Sequence, residues 1–167
     1  MKRPNFTILI AEDDPNDQFF ISQAFKANGV AAAIQLVSSG SEAIAYLKGE
    51  GQFADRAQHQ YPSFLLTDLK MPEGDGFSVL SFLKTAPQSA IVSVVVLSSS
   101  ADVDDIKKSY ALGASAYLVK AQPPNELTQL IKVLVDFWMI CEVPEVDDAG
   151  VRVLTDGKGK LGERFSQ

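Results

Sequence analysis

The sequence predicts an α/β fold built on one parallel sheet. Five short apolar runs alternate with five segments able to form helices, the order that produces strand–helix–strand crossovers. Most of the runs are apolar throughout and do not alternate, as in strands covered on both faces. At 167 residues, the chain has room for one such domain and a short extension.

The first run, Phe6–Ala11, leads to Asp14-Pro15, an N-cap followed by a proline in the first helical turn. Gly29 is placed to end that helix. The second run is Ala33–Val37. Ser39 and Glu42 then have the spacing of a capping box, with Ala43, Ile44 and Leu47 supplying a buried face. Gly49 and Gly51 close the segment, and a polar stretch through Tyr61-Pro62 enters the third run, Phe64–Thr67. A third helix begins near Asp75, with Phe77, Leu80 and Leu83 toward the sheet. The fourth run, Ile91–Leu97, precedes a helix expected from about Ala101 to Leu112, before Gly113. After the fifth run, Ala116–Val119, the last helix follows Pro123-Pro124 and continues to about Cys141.

On a helical wheel that last helix has two apolar stripes. Leu127, Leu130, Ile131, Leu134, Trp138 and Cys141 suffice to cover a sheet. Val133, Phe137 and Ile140 lie to one side, and predict pairing with a second copy or an output target. The alternative is a tail folded back over them. Residues 142–167 contain Pro144, four glycines and many charges, with only Val151-Arg152-Val153-Leu154 strand-like. The chain therefore divides into a compact domain, 1–143, and a loosely ordered tail, 144–167.

A formal net charge of −6 argues against nucleic-acid binding through the overall field. No apolar run approaches the roughly 18 residues that cross a membrane, and the N-terminus lacks the apolar stretch of a signal peptide. The lone cysteine, Cys141, fits a reducing compartment and reads as a packing residue. The expected location is the cytoplasm. His59, within Arg56-Ala57-Gln58-His59-Gln60, reads as a surface residue.

Ligands of an open parallel sheet sit outside the carboxyl ends of its strands. Here the first run ends in Glu12-Asp13-Asp14, the third in Asp68, the fourth in Ser98-Ser99-Ser100 and the fifth in Lys120. Acidic groups, a hydroxyl and an ammonium thus converge on one edge.

This constellation resembles the receiver domains of two-component response regulators, over about Thr7 to Cys141. It rests on Ile8 to Asp14, Leu65 to Gly76, Val95 to Ser100 and Gly113 to Lys120, four motifs in register. The resemblance implies a five-stranded doubly wound sheet, flavodoxin-like, of order 2-1-3-4-5. It implies that Asp68 accepts a phosphoryl group, in place of the plain turn or cap role that aspartate often has. Glu12 and Asp13 match the acidic pair that holds Mg²⁺, Asp13 directly and Glu12 through water, with the Lys70 carbonyl completing the protein ligands. Asp14 is read as an N-cap alone. Ser98 and Lys120 match the donors to the phosphoryl oxygens, while Ser99 and Ser100 read as turn serines. Tyr117 matches the switch aromatic, or is simply a half-buried strand tyrosine.

The family usually places proline after the lysine; here Ala121 follows. Either that bond is trans or Lys120's contacts hold a cis bond costing about 2.5–4 kcal/mol. The run before Tyr61-Pro62, the Leu97-Ser98-Ser99-Ser100 string and Phe137-Trp138 ahead of Val143-Pro144 also resemble the small receivers that serve bacterial phytochrome kinases. The resemblance therefore implies a single-domain phosphoacceptor, not an enzyme, with a histidine kinase as partner; the second stripe of the fifth helix predicts a homodimer through that helix. Three other readings compete. An aspartyl phosphatase commonly needs a second acid where Lys70 stands. A flavin phosphate would be repelled by Glu12-Asp13-Asp14. A degenerate receiver would only bind partners.

Overall fold

The computed structural model describes residues 6–30, 32–86, 92–120, 124–141 and 146–151. Strands and helices alternate: β1 (Thr7–Ala11), α1 (Pro15–Ala27), β2 (Ala33–Val37), α2 (Gly40–Lys48), β3 (Phe64–Thr67), α3 (Gly76–Thr85), β4 (Ser93–Ser98), α4 (Val103–Ala111), β5 (Ala116–Val119) and α5 (Pro124–Ile140). The five strands form one sheet in the order β2-β1-β3-β4-β5, every neighbouring pair parallel. This is the doubly wound order expected from the motifs.

Successive side chains of a strand point to opposite faces, so each central strand feeds two cores. Leu9, Leu65, Val94 and Val96 face a layer with Tyr46, Leu47, Val79 and Leu80 from α2 and α3. Ile8, Ile10, Leu66, Val95 and Leu97 face Ile21 and Phe25 of α1 and Leu127, Ile131 and Leu134 of α5. That double coverage is why the runs are apolar without alternation. Complete burial of a side chain such as Ile131 contributes about 1.5–3 kcal/mol. The edge strand β2 is only partly covered, with Leu36 exposed.

Capping chemistry sets the helix starts. The Asp14 carboxylate accepts from the Asn16 and Asp17 amides, Ser39 Oγ from the Glu42 amide, and Asp75 Oδ1 from the Ser78 amide. Glu42 reaches back to the Ser38 amide at 2.8 Å, one residue before the position a capping box would use. The fourth helix starts later than expected, at Val103 and not Ala101, because Asp102 is its cap and accepts from the Asp104 and Asp105 amides. The fourth strand begins at Ser93; Ile91 lies outside the described residues.

His59 corrects the reading of that stretch as surface. Its ring packs edge-on against Tyr46 and Phe53 and its Nδ1 lies 3.3 Å from Gln35 Oε1. Arg56 holds the loop there, donating to the carbonyls of Tyr46, Leu47 and His59. The two stripes of α5 are both present: Leu127, Ile131 and Leu134 are buried, whereas Val133, Phe137 and Ile140 are 58%, 55% and 73% exposed. The described tail residues do not cover the second stripe. Val146 packs on the other side of the sheet, against the Tyr46 layer, and Gly150 lies against the Tyr61 ring. The remaining tail, including Arg152-Val153-Leu154, lies outside the described residues.

Candidate functional site

Backbone hydrogen bonds extend the sheet one residue past three strand ends, and fix the chemistry-bearing residues there. The Glu12 amide donates to the Val37 carbonyl at 3.0 Å, the Asp68 amide to Ala11 at 2.9 Å, and the Lys120 amide to Ser98 at 2.8 Å. Ladder register, not a flexible loop, therefore sets Glu12 and Asp68 at adjacent strand ends and Lys120 at the end of edge strand β5, beside Ser98 of β4. Ser98 ends β4, beside Val119 of β5, and is fully buried.

The carboxylates converge. One ligand oxygen each from Glu12, Asp13 and Asp68 can be chosen so that all lie within 4.8 Å of one another. Glu12 and Asp68 are 2% and 7% exposed. Burial pushes the Glu12 carboxyl above the usual carboxylate range, opposed by the hydrogen bond and charge of Lys120 and by the Asp14 amide. Its Oε1 accepts from that amide at 3.1 Å. Asp68 Oδ1 accepts from the Leu69 amide at 2.6 Å, which orients the carboxylate.

Lys120 reaches into this acidic pocket. Its Nζ lies 2.7 Å from Glu12 Oε2, 2.8 Å from Asp17 Oδ2 and 2.9 Å from Asp68 Oδ2. Burial pulls the ammonium down, but the hydrogen bonds it donates to Asp17, Glu12 and Asp68 outweigh it and leave Lys120 above the ordinary lysine range. A protonated amine already seated between Glu12 and Asp68 marks that space as one suited to positive charge. Three hard oxygen donors suit a hard divalent cation, so the residues present fit Mg²⁺.

A glycine clamp shapes the loop after Asp68. The Gly40 amide donates to the Gly74 carbonyl at 2.7 Å and the Ser41 amide to Glu73 at 3.1 Å, docking the start of α2 on that loop. Glu73, at φ 53°, and Gly74, at φ 99°, take the left-handed conformation that turns the chain into α3. A Cβ at Gly76 would stand 2.2 Å from the Asp68 carbonyl oxygen.

The chain matches the model of the response regulator receiver domain over residues 8–132. The chain belongs to that family. Response regulator Rcp1 of Synechocystis is 29% identical over 81% of this chain and 90% of its own length. The phosphorylated cyanobacterial phytochrome response regulator RcpA superposes with a TM-score of 0.79 at 34% identity, over 85% of this chain and all of RcpA. RPA3017, a response regulator in red light signalling of R. palustris, gives 0.79 at 32% identity, over 84% of this chain and 99% of that one.

The receiver also brings Tyr117 to the site's edge. Its hydroxyl donates to the Ser100 carbonyl at 2.9 Å, across the loop after β4, and its ring packs against the Tyr46 layer. Ser98 Oγ accepts from the Ser100 amide at 3.3 Å. Lys70 is exposed, two residues beyond Asp68. Asp14 caps α1 as read from the sequence. The Lys120–Ala121 bond lies outside the described residues. Asp17 was not singled out by the sequence. Its only local signal is its place three residues after the cap, on the turn of α1 that overlooks the strand ends.

Proposed function

We propose that this receiver accepts a phosphoryl group from a histidine kinase on Asp68, with Mg²⁺ held by Glu12, Asp13, Asp68 and the Lys70 carbonyl. The observation that carries the reading is the Asp68 carboxylate at a strand end, oriented by the Leu69 amide and paired with Lys120. An Asp68 oxygen forms the new bond to phosphorus as the P–N bond of a phosphohistidine breaks, its electron pair returning to the imidazole nitrogen. Lys120 and the Ser98 hydroxyl donate to the phosphoryl oxygens. The divalent ion supplies charge neutralisation to those oxygens.

Several features support the finer parts of this reading. Lys70 stands where an aspartyl phosphatase would need a second acid, which favours a phosphoacceptor with self-hydrolysis only. The likeness to a phytochrome response regulator and to a red-light regulator supports a phytochrome kinase as donor. Among the described residues no helix is long and apolar enough to cross a membrane, and we place the relay in the cytoplasm. Incubation with Mg²⁺ and a small phosphodonor, read by intact mass and peptide mapping, tests the acceptor directly. One added phosphoryl group on the Asp68 peptide is expected; an unmodified chain would point to a binding-only receiver.

Mg²⁺ itself should stabilise the fold by relieving repulsion among the carboxylates. At a hundredfold excess over Kd, linkage gives about 2.7 kcal/mol, or roughly 5–10 °C in Tm for a domain of this size. Asp13→Ala should abolish that rise. A thermal shift of equal size in the variant would remove Asp13 from the ligand set.

Pairing through α5 follows from its second stripe, since Val133, Phe137 and Ile140 remain exposed. We assign this stripe to a symmetric homodimer, whose partner surface is the same helix. Phosphorylation would bias it through Ser98 and Tyr117. Phe137→Glu should give monomer with an unchanged circular dichroism spectrum. Sedimentation showing wild type monomeric at high micromolar concentration, with and without phosphodonor, would exclude self-pairing.

A further inference from the structure

The three hydrogens of the Lys120 ammonium are all engaged, by Glu12, Asp17 and Asp68. Two of these partners are called away by the chemistry proposed above. Asp68 becomes the acyl phosphate, and Glu12 turns its carboxylate to the cation. Asp17 has neither duty. It stands outside the Glu12, Asp13 and Asp68 ligand group, on the first turn of α1, beyond the Asp14 cap. Its side chain is 38% exposed where that of Lys120 is 13% exposed, so the contact reaches the ammonium from the solvent side of the pocket.

The lysine needs such a partner. Until phosphoryl oxygens arrive to accept from it, a strongly hydrated ammonium on a flexible four-carbon stem can leave for water once Glu12 turns to the cation. An anion fixed to a helix, and free of the reaction, keeps the ammonium over the acceptor.

We propose that Asp17 is the positioning residue of Lys120, holding its ammonium in place while Glu12 binds the cation and Asp68 takes the phosphoryl group. The inference rests on the phosphoacceptor reading. It differs from a plain helix-dipole role for an acid in the first turn, because it acts through Lys120 alone.

The test is a double-mutant cycle on the full chain, with saturating Mg²⁺ and acetyl phosphate, following phosphoryl incorporation by intact mass. Wild type serves as the reference arm: if it takes no phosphoryl group, the acceptor reading falls and this inference with it. Given wild-type incorporation, Asp17→Asn should lower the maximal rate about tenfold, the loss expected for one charge-assisted hydrogen bond. The acetyl phosphate concentration at half-maximal rate should stay unchanged. Asp17→Glu should recover most of the loss, and Asp17→Asn should cause no further loss in a Lys120→Ala background. Lys120→Gln replaces that background if the alanine variant melts early. Asp17→Asn as fast as wild type, or equally slowing with Lys120 absent, would overturn the proposal.

Discussion

Asp68→Asn is expected to remain folded and to take up no phosphoryl group. The amide keeps an oxygen for the Leu69 amide, which now donates at 2.6 Å to Oδ1, so the side chain retains its orientation. What is lost is the carboxylate nucleophile, for which a neutral amide is no substitute. Lys120 retains Glu12 and Asp17, and one of several mutually repelling anions is removed. Stability should therefore change by no more than about 1 kcal/mol, a Tm shift of a few degrees. Intact mass after treatment with phosphodonor should show no adduct, while circular dichroism matches wild type. An adduct on the same peptide at the wild-type rate would withdraw the acceptor assignment.

Gly76→Ala should damage both fold and acceptor. The added carbon would meet the Asp68 carbonyl oxygen at 2.2 Å and the Leu69 Cα at 3.0 Å, and both obstacles are backbone. Neither can swing aside as a side-chain tip would. Either the Gly76 amide leaves the Leu69 carbonyl, a 2.9 Å hydrogen bond, or the loop carries Asp68 out of register. Overpacking of this kind costs about 1–3 kcal/mol, and a displacement of about 1 Å at a reacting group can cost on the order of a hundredfold in rate. Chemical denaturation and the phosphodonor assay should register both losses. Gly29→Asn is the control, because a Cβ there has nothing within 4 Å and asparagine tolerates the left-handed φ of 70°. Equal stability of Gly76→Ala and wild type would show that the loop accommodates the methyl group without strain.

The fold was legible because burial on both faces leaves uninterrupted apolar runs, and because Asp14, Ser39 and Asp75 announce their helices locally. Ambiguity entered where local signals compete. Between Ser98 and Asp102 the chain offers several capping side chains, and the choice of Asp102 depends on how far β4 runs. The strand-end residues of the site were likewise readable, since the parallel sheet sets Glu12, Asp68 and Lys120 along one edge, and the lysine stem reaches past β4 to the carboxylates. Asp17 was not. Its contact with Lys120 spans 103 positions and depends on the seating of α1 against the sheet, which no local pattern encodes. The packing of His59 was hidden for a similar reason: its polar neighbours hide two aromatic rings from α2 and the following turn.

The chain after α5 runs from one side of the sheet to the other. Trp138 packs on Phe64 in one layer, yet Val146 belongs to the opposite one. Gly150 sits against Tyr61, whose ring lies 5.9 Å from the Arg56 guanidinium carbon. Only residues 142–145 intervene between the two described segments, a tether of about 18 Å at full extension. The end of α5 is therefore on a short leash. If a partner draws that helix outward by more than the slack, Val146 and Gly150 must leave their seats, and the collar around Arg56 loosens on the far side of the sheet.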